Sequence, residues 1–137
     1  MTDQVDYLDL DDVLACARAA LGRPPQVRDW GLIASALARP RASALGNEAY
    51  PDVVTKAAAL LSSLITNHAL VDGNKRTALV ATRLFLGLNG VPVVASDDEK
   101  FDLVLDIAEG RLRSAAEVAD RLRPLTRSAR QRPVAVP

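Results

Sequence analysis

The segment HALVDGNKRTAL, residues 68–79, holds the side chains of this sequence that are best suited to chemistry. His68 is the only histidine, and an imidazole can take a proton from an attacking hydroxyl group near neutral pH. Four positions later, Asp72 offers a carboxylate of the kind that holds a magnesium ion bridging phosphate groups. These two residues predict a base and a metal ligand close together in the chain.

Two cations follow at a point where a helix is predicted to begin. The start of a helix carries partial positive charge, so Lys75 and Arg76 are unfavourable there unless an anion compensates them. Asn74 is predicted to be the N-cap of this helix. Gly73 allows backbone angles that turn unpaired amides toward a ligand, with no Cβ to obstruct its approach. Such a helix start binds phosphate well, and two additional cations favour a polyphosphate over a single carboxylate.

Each of these residues also has an ordinary structural explanation. A single histidine at a helix end often caps the helix or lies at the surface, and Asp-Gly-Asn is a common turn. A Lys-Arg pair is commonly part of a solvated face. What favours a phosphate site is the convergence of these types within nine residues. A Walker loop does not explain the pattern, because GNKRT lacks the earlier glycine and follows a helix rather than a strand.

The elements that position this segment are predicted to be helical. The stretch RPRASALGNEAY, residues 39–50, has no helical period and contains a Gly-Asn pair, which predicts an irregular flap or a short hairpin. The remaining pattern is helical, with helices expected at approximately residues 11–21, 29–38, 51–67, 74–88, 97–108 and 114–122. The predicted fold class is therefore all-α, a compact bundle of about six helices with a short flap.

Three finer expectations follow from the helical pattern. Pro51 fits the first position of the third helix. The fourth helix has few polar side chains over most of its length and is predicted to be the central one. Ser114 and Glu117 form a capping box at the start of the sixth helix.

The composition is that of one ordinary folded domain. The chain has 137 residues, of which 49% are hydrophobic, and 17 basic side chains balance 17 acidic ones. This balance gives no whole-chain argument for binding nucleic acid or a membrane surface. The acidic start lacks a secretory pattern and no apolar run approaches a membrane span, which predicts a cytoplasmic protein. Residues 1–123 are predicted to form the domain, residues 124–137 a disordered tail rich in arginine and proline, and Cys16 a core residue.

The chemical segment resembles the signature of the Fic/Doc superfamily. That signature reads His, any residue, Phe, any residue, Asp or Glu, Gly or Ala, Asn, Gly or Lys, Arg. The likeness includes RDWGLIASALARPRA and the helices around the motif, and it covers most of the chain from Val5 to Ala119. It is similar to the Doc branch, the toxins of toxin–antitoxin pairs. The resemblance implies an all-α bundle in which the motif joins two central helices beneath a flap that helps to hold the target.

The resemblance also implies roles for individual residues. His68 becomes the general base for a target hydroxyl group, Asp72 becomes the magnesium-associated acid, and both count as catalytic together with Arg76. The nucleotide and phosphate contacts that it implies are Gly73, Asn74, Lys75, Arg76 and Thr77.

Three positions bear on the placement within the superfamily. Leu70 stands where phenylalanine is usual and is expected to anchor the loop in the core, with only a packing adjustment. Fic-type nucleotidyl transferases have glycine at the position of Lys75, which leaves room for the inner phosphates of the nucleotide. The lysine resembles the Doc branch and implies a reversed donor whose γ-phosphate faces the target. Gly73, in contrast, is the Fic-like choice where Doc proper has alanine.

The function that the resemblance implies is that of a Doc-like toxin kinase. It would transfer phosphate from ATP, with Mg²⁺, to a Ser or Thr hydroxyl of elongation factor Tu, the family's known target, and so inhibit translation. The inhibitory helix of some Fic proteins is not found, because Leu105 stands where Ser or Thr would be required before Glu109. A separate Phd-like antitoxin is therefore implied as partner, without membrane or direct nucleic-acid binding. The alternatives are a nucleotidyl transferase that AMPylates a protein hydroxyl, and a catalytically silent binding protein of the same fold.

Overall fold

Helices make up most of the computed structural model, which describes residues 4–127. The predicted all-α class is confirmed, and the helix ends agree with the hydrophobic periodicity within one or two residues. The helices are α1 (Leu10–Leu21), α2 (Trp30–Ala38), α3 (Val53–Thr66), α4 (Asn74–Leu88), α5 (Asp97–Ala108) and α6 (Ala115–Leu122).

The centre of the bundle is α3. Eleven of its 14 residues are buried, against six of the 15 residues of α4. It packs against α2, α4, α5 and α6. The prediction that α4 is the central helix is therefore wrong. The stretch from Ala57 to Ile65 explains the difference, because it is apolar or small on every face and can be enclosed on all sides.

Side-chain caps define the start of every described α-helix except α4. In each of the five capped helices, the side chain accepts a hydrogen bond from the backbone N–H three residues later, which satisfies a donor that the helix leaves free. The predicted capping box of Ser114 and Glu117 is confirmed. The capping residues are Asp9, Asp29, Asp52, Ser96 and Ser114.

The start of α3 differs from the prediction. Asp52 caps this helix by accepting a hydrogen bond from the N–H of Thr55, so the first helical residue is Val53. Pro51 lies outside the helix, and its assignment to the first helical position is wrong. The Asp52 cap prevails because its carboxylate satisfies an amide that a helix start leaves unpaired, which a proline cannot do.

The predicted flap contains a short hairpin. Strand β1 (Ser43–Ala44) pairs antiparallel with β2 (Asn47–Glu48). The two residues between them, Leu45 and Gly46, have positive φ angles of 54° and 78°. Two consecutive positive φ angles match the tight turn that suits the twist of a two-residue hairpin.

A buried lysine holds the two ends of this flap together. Lys56 lies in α3 and is fully buried. Its Nζ donates hydrogen bonds to the carbonyl oxygens of Pro40 and Tyr50 and to the carboxylate of Glu48. Arg39 adds a hydrogen bond from its Nε to the hydroxyl of Tyr50 at 3.2 Å. The base of the flap is thus fixed to α3 by charged hydrogen bonds, which are stronger than neutral ones.

The chain remains attached to the bundle beyond α6. A short 3₁₀ helix, Arg123–Leu125, includes the residue at which the tail was predicted to begin. The N–H of Val94 donates to the carbonyl oxygen of Leu125 at 2.8 Å, and the N–H of Arg127 donates to that of Pro92 at 2.9 Å. The predicted disorder of residues 128–137 lies outside the described residues.

Two expectations from the composition concern Cys16 and the apolar runs of the chain. Cys16 is buried in α1, as predicted, and burial is the main cause that raises the pKa of its thiol. A raised pKa keeps the thiol protonated and poorly nucleophilic. Within residues 4–127, no helix combines the length and the apolar character that crossing a bilayer requires.

Candidate active site

The loop between α3 and α4, residues 67–73, is held tightly on the bundle. Ala69 and Leu70 are buried, with 4% and 3% of their surface exposed. The carbonyl oxygen of Ala69 accepts hydrogen bonds from the N–H groups of Arg28 at 2.7 Å and Asp29 at 3.1 Å. The expectation that Leu70 anchors this loop in the core is confirmed, and the segment before α2 fixes it from the other side.

Asn74 closes the loop instead of capping the helix. Its Oδ1 accepts a hydrogen bond from the N–H of Leu70, and its Nδ2 donates one to the carbonyl oxygen of the same residue, both at 2.9 Å. Asn74 is the first residue of α4, and Gly73 occupies the N-cap with a φ of 81°. The N-cap prediction for Asn74 is therefore wrong, because both groups of its side-chain amide are hydrogen-bonded to the backbone of Leu70 and the left-handed cap position favours glycine.

Gly73 is required by the backbone and by its contact with α1. A Cβ built on Gly73 would lie 2.4 Å from Cδ2 of Leu21, far inside normal contact distance. The missing side chain thus makes room for the close packing of α1, a structural reason for glycine that was not predicted. The positive φ of Gly73 agrees with the predicted importance of its backbone angles, and Gly73 also lines the cavity described below.

The start of α4 leaves its first backbone N–H groups free. No side chain caps it, and its first turn contains no acidic residue. In the described part of the chain, the N–H groups of Asn74, Lys75 and Arg76 have no hydrogen-bond acceptor. The side chains of Lys75 and Arg76 are exposed. Free amides, the helix dipole and two cations therefore concentrate positive charge at one point of the surface.

This helix start opens into a cavity of about 610 Å³. Ligand pockets typically measure roughly 300–1,000 Å³, so the cavity has room for a nucleotide. One side of it is polar and comes entirely from the predicted motif, and the other side is apolar. The predicted site residues that the structure brings together here are His68, Asp72, Gly73, Asn74, Lys75 and Arg76.

His68 lines this cavity from the start of the loop. Its φ is 51°, in the left-handed region that costs a residue with a Cβ roughly 1 kcal/mol. Such a conformation persists only when the surroundings impose it, as the pinned loop does here. The side chain is exposed, and within residues 4–127 no hydrogen bond occupies it. The imidazole is available to a substrate.

Thr77 does not join this group. Its residue is 2% exposed, and its N–H donates within the helix to the carbonyl oxygen of Gly73 at 2.9 Å. Its hydroxyl oxygen is buried, and Thr77 lines a small internal gap together with Val13, Leu64 and other core residues. The structure does not support the predicted phosphate contact of Thr77, because neither its hydroxyl nor its amide reaches the cavity.

Asp72 is paired with arginines from two directions. Its Oδ2 lies 3.2 Å from Nη2 of Arg23 and 3.9 Å from Nη2 of Arg76, and its side chain is 63% exposed. Arg23 was not predicted as a site residue. It stands in the turn after α1, where neither periodicity nor a motif distinguishes it. Only the fold brings it to Asp72.

The carboxylate of Asp72 fits a metal ion that a nucleotide would bring with it. The described residues contain no cluster of three or more metal-binding side chains, which would be needed for a site built by protein alone. Magnesium in nucleotide enzymes is commonly held by one or two carboxylates together with phosphate oxygens and water. One exposed carboxylate beside a helix start that binds anions meets this requirement.

The apolar side of the cavity was not predicted. Phe101 and Leu105 lie four residues apart on α5, and Phe101 is 63% exposed. The signal in the sequence was present, since these two residues form a second apolar stripe beside the buried Leu103 and Ile107. The apolar residues that line the cavity are Val71, Leu79, Phe101, Val104 and Leu105.

The site joins a helical bundle to a short motif that gathers a histidine, a carboxylate and a cationic helix start, which is the arrangement expected of an enzyme that handles phosphate. A protein-family model described as the Fic/DOC family matches residues 7–86. This match covers more than half of the chain, and the chain belongs to the Fic/DOC family.

Two curated relatives place the chain more closely. It is 54% identical over 93 residues to Toxin Doc of Mycolicibacterium smegmatis, covering 68% of this chain and 72% of that protein. It is 37% identical over 108 residues to Protein kinase doc of Escherichia phage P1, covering 79% of this chain and 83% of that protein. Both relatives are Doc proteins, and the predicted resemblance to the Doc branch is confirmed.

Proposed function

We propose that this chain is a Doc-type toxin that acts as a protein kinase in the cytoplasm. It transfers the γ-phosphate of ATP to a Ser or Thr hydroxyl of a translation factor, with elongation factor Tu as the first target to test, and thereby stops translation. The observation that carries the proposal is the start of α4, where free amides and two cations share one cavity with His68. A relative named Protein kinase doc supports the choice of reaction.

The phosphates of the donor bind at the start of α4. The N–H groups of residues 74–76 donate hydrogen bonds to phosphate oxygens, and the side chains of Lys75 and Arg76 neutralise their charge. Catalysis of phosphoryl transfer rests mainly on positioning and on charge stabilisation in the transition state. The cavity provides both, because the hydrogen-bonded loop of residues 67–73 fixes its donors in place before the substrate arrives.

His68 handles the proton of the target hydroxyl. The hydroxyl oxygen forms a bond to the γ-phosphorus, and the bond from that phosphorus to the bridging oxygen breaks, so that ADP leaves. The hydroxyl proton passes to the free nitrogen of the imidazole. The exposure of His68 at the edge of the cavity gives a protein segment access to it.

Asp72 is the residue that would hold Mg²⁺. The ion supplies neutralisation of the phosphate charge when it is bound. To serve as a ligand, Asp72 gives up its salt bridge with Arg23. This salt bridge is weak, because both side chains are exposed to solvent. The released Arg23 remains at the rim of the site as an additional cation for the phosphates.

Lys75 supports transfer of the γ-phosphate over transfer of a nucleotide. Its side chain lines the cavity next to the helix start. A lysine there fills space that a glycine would leave for the inner phosphates, and it adds a positive charge beside the terminal phosphate. Nucleotidyl transfer is the competing outcome, and Gly73 is the residue that favours it.

The position of a radioactive label decides between the two reactions. We expect purified chain with Mg²⁺ to label elongation factor Tu from [γ-³²P]ATP and not from [α-³²P]ATP. The His68→Ala variant, unfolding at the same temperature as the unaltered chain, should lose label by about 100-fold or more. Label from the α-phosphate would instead establish nucleotidyl transfer, and no label from either would argue against this target.

Growth of cells that express the chain tests the toxin itself. The unaltered chain should arrest growth and His68→Ala should not, because the substitution removes an exposed side chain of the site without disturbing the core. If both arrest growth equally, the chain acts by binding alone. We further propose a Phd-like antitoxin as partner, supported by the relative named Toxin Doc. Co-expression of the candidate antitoxin should restore growth.

A further inference from the structure

We infer that the apolar wall of the cavity binds the nucleobase of the donor through Phe101, and that it accepts different bases with little discrimination. This inference rests on the proposed function, since it assigns the second half of the same nucleotide site. The reason is the division of the cavity into a cationic side, formed by residues 68–76, and an apolar side, formed mainly by α5.

The two sides match the two halves of a nucleoside triphosphate. The phosphates require the free amides and cations at the start of α4, so the base must occupy another part of the same cavity. Phe101 has an exposed ring there, and Leu79, Val104 and Leu105 line the surface next to it. An aromatic face is a suitable platform because every nucleobase has a π-face that stacks on it.

The lack of polar groups on this wall determines the specificity. Sites that discriminate strongly between similar ligands do so with buried hydrogen-bonding groups that the wrong ligand leaves unpaired. Within the described residues, every polar side chain that lines the cavity belongs to residues 68–76, and that of Asn74 is occupied by Leu70. Stacking alone prefers larger purines slightly and excludes no base.

Binding measurements with and without a base test this assignment. The probes are the Mg²⁺ complexes of ATP, GTP, CTP and UTP and of inorganic tripolyphosphate, which has the charge and no base. Titration calorimetry should show ATP binding about tenfold more tightly than tripolyphosphate. The four nucleotides should lie within about tenfold of one another, with the purines tighter.

Variants of Phe101 identify the platform. Phe101→Ala should remove most of the advantage of every nucleotide over tripolyphosphate while leaving tripolyphosphate binding unchanged. Phe101→Trp should retain it, and Phe101→Leu should lose part of it, because leucine is apolar without an aromatic face. Trp30→Ala is the matched control, since Trp30 is an aromatic residue of α2 with 56% exposure that does not line this cavity.

The outcomes separate this inference from the proposed kinase activity. If Phe101→Ala binds all nucleotides normally and still transfers phosphate, the base assignment is overturned and the kinase proposal stands. The same conclusion follows if Phe101→Ala only weakens the complex with an antitoxin, because the wall would then serve a protein partner. A preference of more than about 100-fold for one base would overturn the inference that the site accepts different bases. Failure of the unaltered chain to bind either ATP or tripolyphosphate would remove both proposals.

Discussion

The start of α4 and the junction between α5 and α6 contain similar residues in different electrostatic states. At the junction, Arg111 and Arg121 both donate to the carboxylate of Asp106, at 2.6 and 2.7 Å. Arg111 also pairs with Glu109, and a capping box satisfies the start of α6. At the start of α4 no side chain caps the helix, and the first turn contains no acidic residue.

The arginines at the junction stabilise the fold, whereas the cations at the start of α4 are available to bind a ligand. The arginines of the junction already have carboxylate partners, and their hydrogen bonds hold the pKa of Asp106 below its usual value, with Arg121 as the main cause and Arg111 next. In the described part of the chain, no carboxylate lies within salt-bridge distance of Lys75, and Arg76 has only a contact of 3.9 Å with Asp72. Unbalanced cations beside free amides are what an anionic substrate can neutralise.

The largest expected effect comes from removing one arginine at each place. Arg76→Ala should lower phosphate transfer by about 100-fold or more, because it removes a charge that stabilises the transition state. Its thermal unfolding should change little, since the side chain is 61% exposed. Arg111→Ala should show the opposite pattern, with normal transfer and a small drop in melting temperature. Transfer rates and melting curves of both variants check this, and full activity in Arg76→Ala would contradict the comparison.

Two glycines with left-handed backbone angles also distinguish the start of α4 from the junction. Gly73 before α4 and Gly110 at the junction have nearly the same φ, 81° and 80°. A Cβ at Gly110 would meet nothing closer than 3.9 Å, whereas one at Gly73 would lie 2.4 Å from Leu21. Gly110→Ala should therefore cost only the backbone strain, about 1 kcal/mol of unfolding free energy. Gly73→Ala should cost more, about 2 kcal/mol, because Leu21 must also move.

Urea unfolding of the two glycine variants measures this difference. Gly73→Ala should also weaken nucleotide binding, because a displaced α1 disturbs the loop that aligns the amides of α4. Equal losses in the two variants would mean that Leu21 moves aside without cost. In that case the Fic-like glycine and the alanine of Doc proper are interchangeable in this chain.

The site was predictable where its residues are neighbours in the sequence. The motif from His68 to Arg76 spans nine residues, and the hydrophobic periodicity on either side places it between two helices. The same information did not show which way each side chain faces. Thr77 follows Arg76 directly, yet it is buried because one step along a helix turns a side chain by about 100°.

The parts that the sequence did not show depend on contacts between distant segments. Arg23 reaches Asp72 across 49 positions, and Phe101 forms the opposite wall from a different helix. The burial of Lys56 in α3 was not predicted, and only the fold shows the carbonyl oxygens that compensate it. Periodicity reports which face of one helix is apolar, but it does not report what the other elements bring to that face.

The smallest expected effect concerns the pH dependence of the junction. The pKa of Asp106 is lowered in the folded state, so its ionised carboxylate stabilises the fold above its ordinary pKa, about 4. This contribution is lost as the pH falls below that value toward the folded pKa. Asp106→Asn should therefore lower the melting temperature at pH 7, and this effect should shrink as the pH falls below about 4.

A second carboxylate on α5 provides the control for that measurement. Asp97 has a fully exposed side chain, and among residues 4–127 its one salt bridge is with Lys100, three residues later. Melting curves from pH 3 to pH 7 should show the gap between the unaltered chain and Asp106→Asn opening as the pH rises, with a smaller gap for Asp97→Asn, whose carboxylate lies at the exposed start of α5. A constant gap across this range would mean that Asp106 acts through packing and not through its charge. The junction could then no longer serve as an example of arginines whose charge is neutralised by a carboxylate. The difference in electrostatic state would have to be established from Lys75 and Arg76 at the start of α4 alone.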